Sequence, residues 1–443
     1  MASGQLAPSS SVDNPGKLLK ALQELISPED ILEAACRLGA VKRQRKVDIT
    51  ALVASTVLAL IPVQGAQTTA FANYIALTGQ SLAPSAFYDR FSVEFGQLMR
   101  EVALRAVEGL RRVAPADRCL ADFGVLLKEF SDVQVADSTC HVLQRLASDW
   151  SPSTSPERPA GIKWHTVISL RDALPVADAL TPQRTHDNRA LPEGALTAGT
   201  LTLFDLGYLD VERFIDAIER GAHFLTRLKS NHNPTILRVH VGKGERVKAR
   251  GMRLHDALTQ EVLVEEKGAL DLDVLLEKGG RRAVIRAVAV RSSDGEWHWY
   301  LTTVSREVLN PLGVSDAYRL RWNVELVFKQ MKSGLGLKTI LASRPGAVTA
   351  LVYAKITALC LARMLEIAIE QRAGRYATTQ LALVLALTRC APLLMSAFFM
   401  ARGVTLQQLE ERLLLIAEIT ARSRNRRRER AKRKREQALG ATT

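Results

Sequence analysis

From about Lys17 to Arg112 apolar positions recur at helical spacing, and Ser27, Pro28 and Asp30 precede the run ILEAACRL as an N-cap, a first-turn proline and a first-turn acid. Farther on, TTAFANYIAL, TGQSLAP and SAFYDRFSVEF read as helix, glycine-containing turn and helix, either a packing hairpin or a loose helix-turn-helix. Near Ser131 the period changes. DVQVADSTC alternates as a strand does, and GIKWHTVISL and LPVADALT are two further β-rich runs. TLTLFDLGY then predicts a fourth strand, VERFIDAIERG an amphipathic helix closed by Gly221, and HFLTRLKSN a fifth strand. Three strands followed by alternating strand and helix make a mixed α/β sheet. Between Asn231 and His298 the rhythm breaks, and RAVIRAVAVRS and EWHWYLTTV flanking the turn SDG predict a hairpin within a β-rich insertion. From Ser315 the pattern is helical to the end of the chain.

Composition changes this picture mainly at one end. Of 443 residues, 60 are Lys or Arg and 46 Asp or Glu, a formal charge of +14. The segment Arg422–Arg435 holds ten basic residues and one acid, so it supplies +9 and leaves the remainder nearly balanced. Such a tail predicts a polyanionic partner, nucleic acid ahead of a membrane surface. The cluster KRQRK (Lys42, Arg43, Arg45, Lys46) adds a smaller basic site near the helical hairpin. Five scattered cysteines without a C-x-x-C pair argue against a disulfide framework or zinc knuckle and fit a reducing cytoplasm. No signal peptide is expected. No membrane span is expected either: Ala51–Val63 is too short, and Leu381–Met400 carries Arg389 and Pro392.

Asp137 follows the apolar part of the first strand and Asp205 that of the fourth. A carboxylate there is costly to desolvate without a partner, and in open α/β sheets ligands collect at strand ends. The stronger signal is DAYRLRWNVELVFKQMKSGLGL. Advancing about 100° per residue along one continuous helix puts Arg321, Glu325 and Lys332 on a polar stripe with Tyr318, with Lys329 close by, beside an apolar stripe of Leu320, Val324, Val327, Phe328 and Met331. Two strand-end aspartates and a helical glutamate can hold two divalent cations for in-line displacement at phosphorus. Oxygen-only ligands favour Mg²⁺ or Mn²⁺ over zinc. Arg321 could fork onto a phosphate, with Lys332 as a point charge.

The spacing Y-x-x-R-x-x-x-E-x-x-x-x-x-x-K, met by Tyr318, Arg321, Glu325 and Lys332, resembles the signature of bacterial insertion-sequence transposases of the group named after insertion sequence four, within the DDE superfamily. The DST at Asp137, the DLGY at Asp205–Tyr208 and the FLTRLKSN at Phe224–Asn231 resemble that family's two acidic motifs and the following strand. The resemblance covers roughly Val133 to Leu337. It implies a ribonuclease H-like fold with a metal-binding triad of Asp137, Asp205 and Glu325, and with Tyr318, Arg321 and Lys332 contacting DNA near the cleaved phosphate. It also implies a β-rich insertion before the glutamate. Trp297 and Trp299 point to one side of a strand, with His298 opposite, and could stack on an unpaired base. His186 and Asp187 adjoin in a polar loop and are read as loop residues.

The expected organisation is an N-terminal helical region at 1–125 with a DNA-binding role, a catalytic domain at 126–231 and 299–345, the β-rich insertion at 232–298, and a C-terminal helical region with its basic tail at 346–443. The expected activity is two-metal DNA cleavage and strand transfer at the ends of a mobile element. The expected partners are double-stranded element ends and target DNA, with self-association in a synaptic complex and no membrane. A ribonuclease H-like nuclease without strand transfer and a noncatalytic, domesticated DNA-binding protein are the competing readings.

Overall fold

The computed structural model describes residues 27–373, apart from 42–46, 60–65, 81, 114–123, 173, 243–247 and 330–338. The basic cluster at 42–46, Lys332 and the basic tail therefore lie outside the described residues. The chain divides into two compact units: residues 1–114, 142–150 and 329–443 form one, and 115–141 with 151–328 the other.

The first unit is helical. The Ser27 hydroxyl accepts from the Asp30 amide at 3.3 Å and caps α1 (Pro28–Arg37) as expected. Asp48 caps α2 (Ile49–Val57), accepting from the Thr50 and Ala51 amides. α3 (Ala66–Thr78), α4 (Pro84–Tyr88) and α5 (Val93–Val113) follow. The single helix expected through SAFYDRFSVEF is thus two. Ser92 accepts from the Phe95 amide at 3.3 Å and starts a new helix with Glu94 in its first turn, a cap hidden inside an apolar pattern. Phe87, Phe91 and Phe95 remain buried on both sides of the break, their rings edge to face.

The second unit begins with α6 (Gly124–Glu129), followed by β1 (Asp132–Leu143), β2 (Gly161–Ser169), β3 (Pro175–Pro182), β4 (Thr200–Phe204), α7 (Val211–Glu219) and β5 (His223–Arg227). Strand order is β3-β2-β1-β4-β5, with β1, β4 and β5 parallel and β2 and β3 antiparallel. This is a ribonuclease H-like mixed sheet. α7, capped by Asp210 and terminated at Gly221 with φ of 70°, buries Phe214 against Phe204 and Phe224, the latter stacked at 4.0 Å.

The insertion continues the same sheet. β6 (Thr235–Val241), α8 (Leu254–Thr259), β7 (Ala269–Lys278), β8 (Arg281–Arg291) and β9 (Trp297–Thr302) extend the order as β5-β9-β8-β7-β6. Thr302 of β9 pairs with both Leu225 and Arg286. Beneath this extension Asp271, 1% exposed, accepts from Arg286 and Arg306, and Arg306 also reaches Asp273. α9 (Pro311–Arg319) and α10 (Trp322–Lys329) complete the unit.

Beyond it the chain returns to the first unit. β10 (Thr339–Ile340) pairs in parallel with Val142 and Leu143, and α11 (Pro345–Ala373) lies along α5. The approach of these two helices requires glycine, because a Cβ at Gly346 would stand 2.2 Å from the Ser92 carbonyl oxygen.

Candidate active site

The parallel register of β1 and β4 runs from Asp132↔Thr200 to Ala136↔Phe204. Asp137 and Asp205 are each the next residue beyond that last rung, on neighbouring strands spaced about 4.8 Å apart. Asp137 does not end its strand, contrary to the sequence expectation. β1 continues to Leu143, so Asp137 lies where its pairing with β4 stops rather than where β1 stops. Asp205 does end β4 and opens the turn Leu206–Tyr208.

The long signature helix is also corrected. It is two helices, α9 ending at Arg319 and α10 starting at Trp322. Between them the Leu320, Arg321 and Val324 amides donate three residues back rather than four, tightening the backbone and invalidating a constant advance per residue. Tyr318 is therefore on one helix and Glu325 on the next, with Arg321 in the break.

That break serves the site geometry. One guanidinium nitrogen of Arg321 donates to Asp137 Oδ2 at 3.1 Å and the other to Glu325 Oε1 at 3.1 Å. Arg321 also interacts electrostatically with Asp205 and lies 6.0 Å from the centre of the Tyr318 ring. Asp137 Oδ1 accepts the Ser138 amide at 2.7 Å. Asp137, Asp205 and Glu325 thus gather around one arginine. Burial, foremost, and the repulsion of Asp205 and Glu325 lift the Asp137 carboxyl from the ordinary 3.8 to about 6, although the Ser138 amide and Arg321 oppose this. Burial likewise pushes the Tyr318 phenol up to about 12.

The other sequence candidates are less uniform. Lys329 is the last residue of α10, and Lys332 lies outside the described residues. Trp297 stands opposite Arg291, whose guanidinium is 5.7 Å from its ring centre, whereas Trp299 packs against the buried core. Arg227 donates to His298 Nδ1 at 2.7 Å. Trp322, which the sequence reading did not single out, is 61% exposed beside Arg321.

The reading also missed Asp187. Its Oδ1 accepts from the Ser138 hydroxyl at 2.9 Å and from Lys163 Nζ at 3.1 Å, with His165 Nδ1 at 3.6 Å. A signal was present in β2, where the two ionisable residues Lys163 and His165 stand two apart on one face of a largely buried strand, a polar pair that needs a partner.

Among the described residues no group of three or more His, Cys, Asp or Glu is arranged as a set of metal ligands, and a guanidinium bridges two of the carboxylates. The donor set nevertheless fits a hard divalent cation: it offers carboxylate oxygens, and a cation would offset the repulsion that Asp205 and Glu325 exert on Asp137.

A ribonuclease H-like sheet with two aspartates at adjacent parallel-strand positions and a glutamate on a following helix defines a class of phosphoryl-transfer folds. Residues 128–361, more than half of the chain, match the family model for the transposase DDE domain, and the chain belongs to that family. Membership implies divalent-metal dependence in general terms. The Sinorhizobium fredii protein y4zB, named as a transposase, is 26% identical over 236 residues, which are 52% of this chain and 60% of that one. The transposase for insertion sequence element IS231B of Bacillus thuringiensis subsp. berliner is 23% identical over 367 residues, covering 70% of this chain and 71% of its own length. A piggyBac transposase in a synaptic complex with hairpin DNA aligns over 90% of this chain and 85% of its own, at a TM-score of 0.46 and 10% identity. No helix among the described residues is long and apolar enough to cross a membrane.

Proposed function

We propose that the protein cleaves double-stranded DNA at the ends of a bacterial insertion sequence and transfers the strands to target DNA. The observation that carries this reading is the junction of Asp137, Asp205 and Glu325 around Arg321, produced by strand register and a helix break. Asp137, Asp205 and Glu325 would hold two Mg²⁺ ions, or Mn²⁺. When bound, such a pair supplies an activated attacking oxygen and stabilisation of the leaving oxygen.

The chain's own groups prepare that site. The Ser138 amide orients Asp137, and Arg321 balances the carboxylate charge while its planar fork fixes the relation of Asp137 to Glu325. Tyr318 walls the guanidinium. Tyr318, Arg321, Lys329 and Lys332 would contact DNA next to the reacting phosphate, and Trp297, at the start of its strand, would stack on a base more readily than Trp299, which packs against the buried core. The basic tail would bind phosphates without reading sequence, and two or more copies would hold the two ends in a synaptic complex.

The test is incubation of the full-length protein with DNA carrying the element ends and Mg²⁺, with product ends mapped. Cleavage at the element boundary and joined products are expected, both lost in Asp205→Asn and Glu325→Gln while end binding persists. Hydrolysed ends without joined products would assign the nuclease reading. End binding without cleavage under Mg²⁺ or Mn²⁺ would overturn the catalytic one.

A further inference from the structure

Behind the two aspartates lies a polar cluster that the proposed chemistry does not use. Lys163 and His165 project from β2, Thr181 from β3, Ser138 from β1, Asp187 from the short turn Asp187–Arg189, and Tyr208 from the turn after Asp205. His165 is fully buried, with Nδ1 3.2 Å from the Tyr208 hydroxyl and Nε2 2.9 Å from the Thr181 hydroxyl. Asp187 Oδ1 takes hydrogen bonds from Ser138 and Lys163. On its other side the carboxylate abuts the turn that follows Asp205, where a Cβ at Gly207 would come within 2.9 Å of Asp187 Oδ2. The Asp187 segment is itself fastened, since Arg213 of α7 donates to the Asn188 carbonyl.

One side chain therefore touches the residue after the first aspartate and lies against the second residue after the other. Ser138 is the more direct link, because its amide holds Asp137 while its hydroxyl is held by Asp187. Resting on the metal-dependent reading above, we propose that Asp187 is a positioning residue: it sets the separation and orientation of Asp137 and Asp205 through Ser138 and the Leu206–Tyr208 turn, and so determines affinity for the divalent cation. It acts from behind the site rather than as a ligand: Oδ1 is committed to a hydroxyl and an ammonium, and Oδ2 faces the Gly207 turn. Outer-shell partners of carboxylate ligands act in this way and are typically worth about 10- to 100-fold in metal affinity.

Mn²⁺ binding to the full-length, DNA-free protein, followed by the electron paramagnetic resonance signal of the free ion, tests this. Asp187→Ala should weaken binding about 10-fold or more, with secondary structure and thermal midpoint close to wild type. Asp187→Asn should recover most of the affinity, because an amide oxygen still accepts from Ser138 and Lys163. Ser138→Ala should weaken binding too, and the double variant Ser138→Ala/Asp187→Ala should fall short of the product of the two effects, because both act along one path. If Asp187→Ala fails to fold, Gly207→Ala reads the same geometry by pressing a methyl group on Asp187 without removing a polar group, and it should weaken Mn²⁺ binding. Wild-type affinity in Asp187→Ala, or in a folded Gly207→Ala, would overturn the proposal, as would an Asn variant as weak as Ala. Asp137→Ala is the separating control: if it too binds Mn²⁺ like wild type, the carboxylate site itself has been misplaced, whereas loss there with no effect at Asp187 sinks only the positioning role.

Discussion

Asp137→Asn should stabilise the metal-free protein at neutral and alkaline pH. The Asp137 side chain is only 16% exposed, and its carboxyl is lifted from the ordinary 3.8 to about 6, by burial first and by Asp205 and Glu325 after that. A carboxyl that holds its proton more tightly folded than unfolded favours the fold while protonated. That contribution is complete below about pH 4 and is lost as pH rises through about 6. The gap corresponds to about 3 kcal/mol, each tenfold in proton affinity being about 1.4 kcal/mol. Arg321 already assists the charged form, so the figure is what remains after that pairing. A neutral amide of the same shape escapes the penalty and should be up to about 3 kcal/mol more stable at pH 8, with the advantage shrinking towards zero near pH 4. Guanidinium unfolding in the presence of a chelator, followed by tryptophan fluorescence, is suitable because Trp164, Trp297, Trp299 and Trp322 all belong to the unit that carries the site. An Asn variant no more stable than wild type at pH 8, or one whose advantage does not change with pH, would refute the reasoning.

Asp271→Ala should cost about 3–5 kcal/mol in the same unfolding experiment, because it strands the nearly buried Arg286 and one contact of Arg306; a loss under 1 kcal/mol would show that water replaces the carboxylate. Gly346→Ala should lower the thermal midpoint measurably, by at least about 1–3 kcal/mol of strain, since the new methyl meets the Ser92 carbonyl rather than a movable side chain. Removing residues after Ala421 should weaken binding to all DNA sequences alike and flatten its salt dependence, measured by fluorescence anisotropy at several salt concentrations. Selective loss of discrimination at constant affinity would instead make the tail a sequence reader.

Local signals carried much of the fold. Ser27 and Asp30 marked a helix start through side-chain capping, Gly221 a helix end through its positive φ, and alternation in VQVAD and TLTLF the two central strands. Asp137 and Asp205 were recognisable as carboxylates following apolar strand segments. Their adjacency was not, because it depends on a register that pairs positions 68 residues apart, as Asp132 with Thr200. The break at Leu320–Arg321 contains no glycine or proline; it coincides with the tertiary demand of one guanidinium for Asp137 and Glu325, which a single-helix projection cannot represent. Asp187 looked like a loop residue because its partners Ser138 and Lys163 are 49 and 24 positions away. Ser92 shows the opposite failure, a purely local cap masked by the phenylalanines around it.

The stitching of the insertion into the sheet bears on how such a protein could be taken apart. Thr302 pairs on one side with β5 and on the other with β8, so cuts near residues 232 and 298 would not release a module but tear a continuous ladder. The place where the chain can be opened is the two-residue turn of β7 and β8, where Lys278 pairs with Arg281 and Gly279 and Gly280 adopt φ of 60° and 77°. New termini or an inserted reporter domain at that tip would leave every rung of both neighbouring ladders intact. Fragments split there would each carry one of the two long strands β7 and β8, with Asp137 and Asp205 on the first and Glu325 on the second. Reassembly along β7 and β8 would then be the event that brings the carboxylates together, which turns a hairpin tip into a handle for switching the site on.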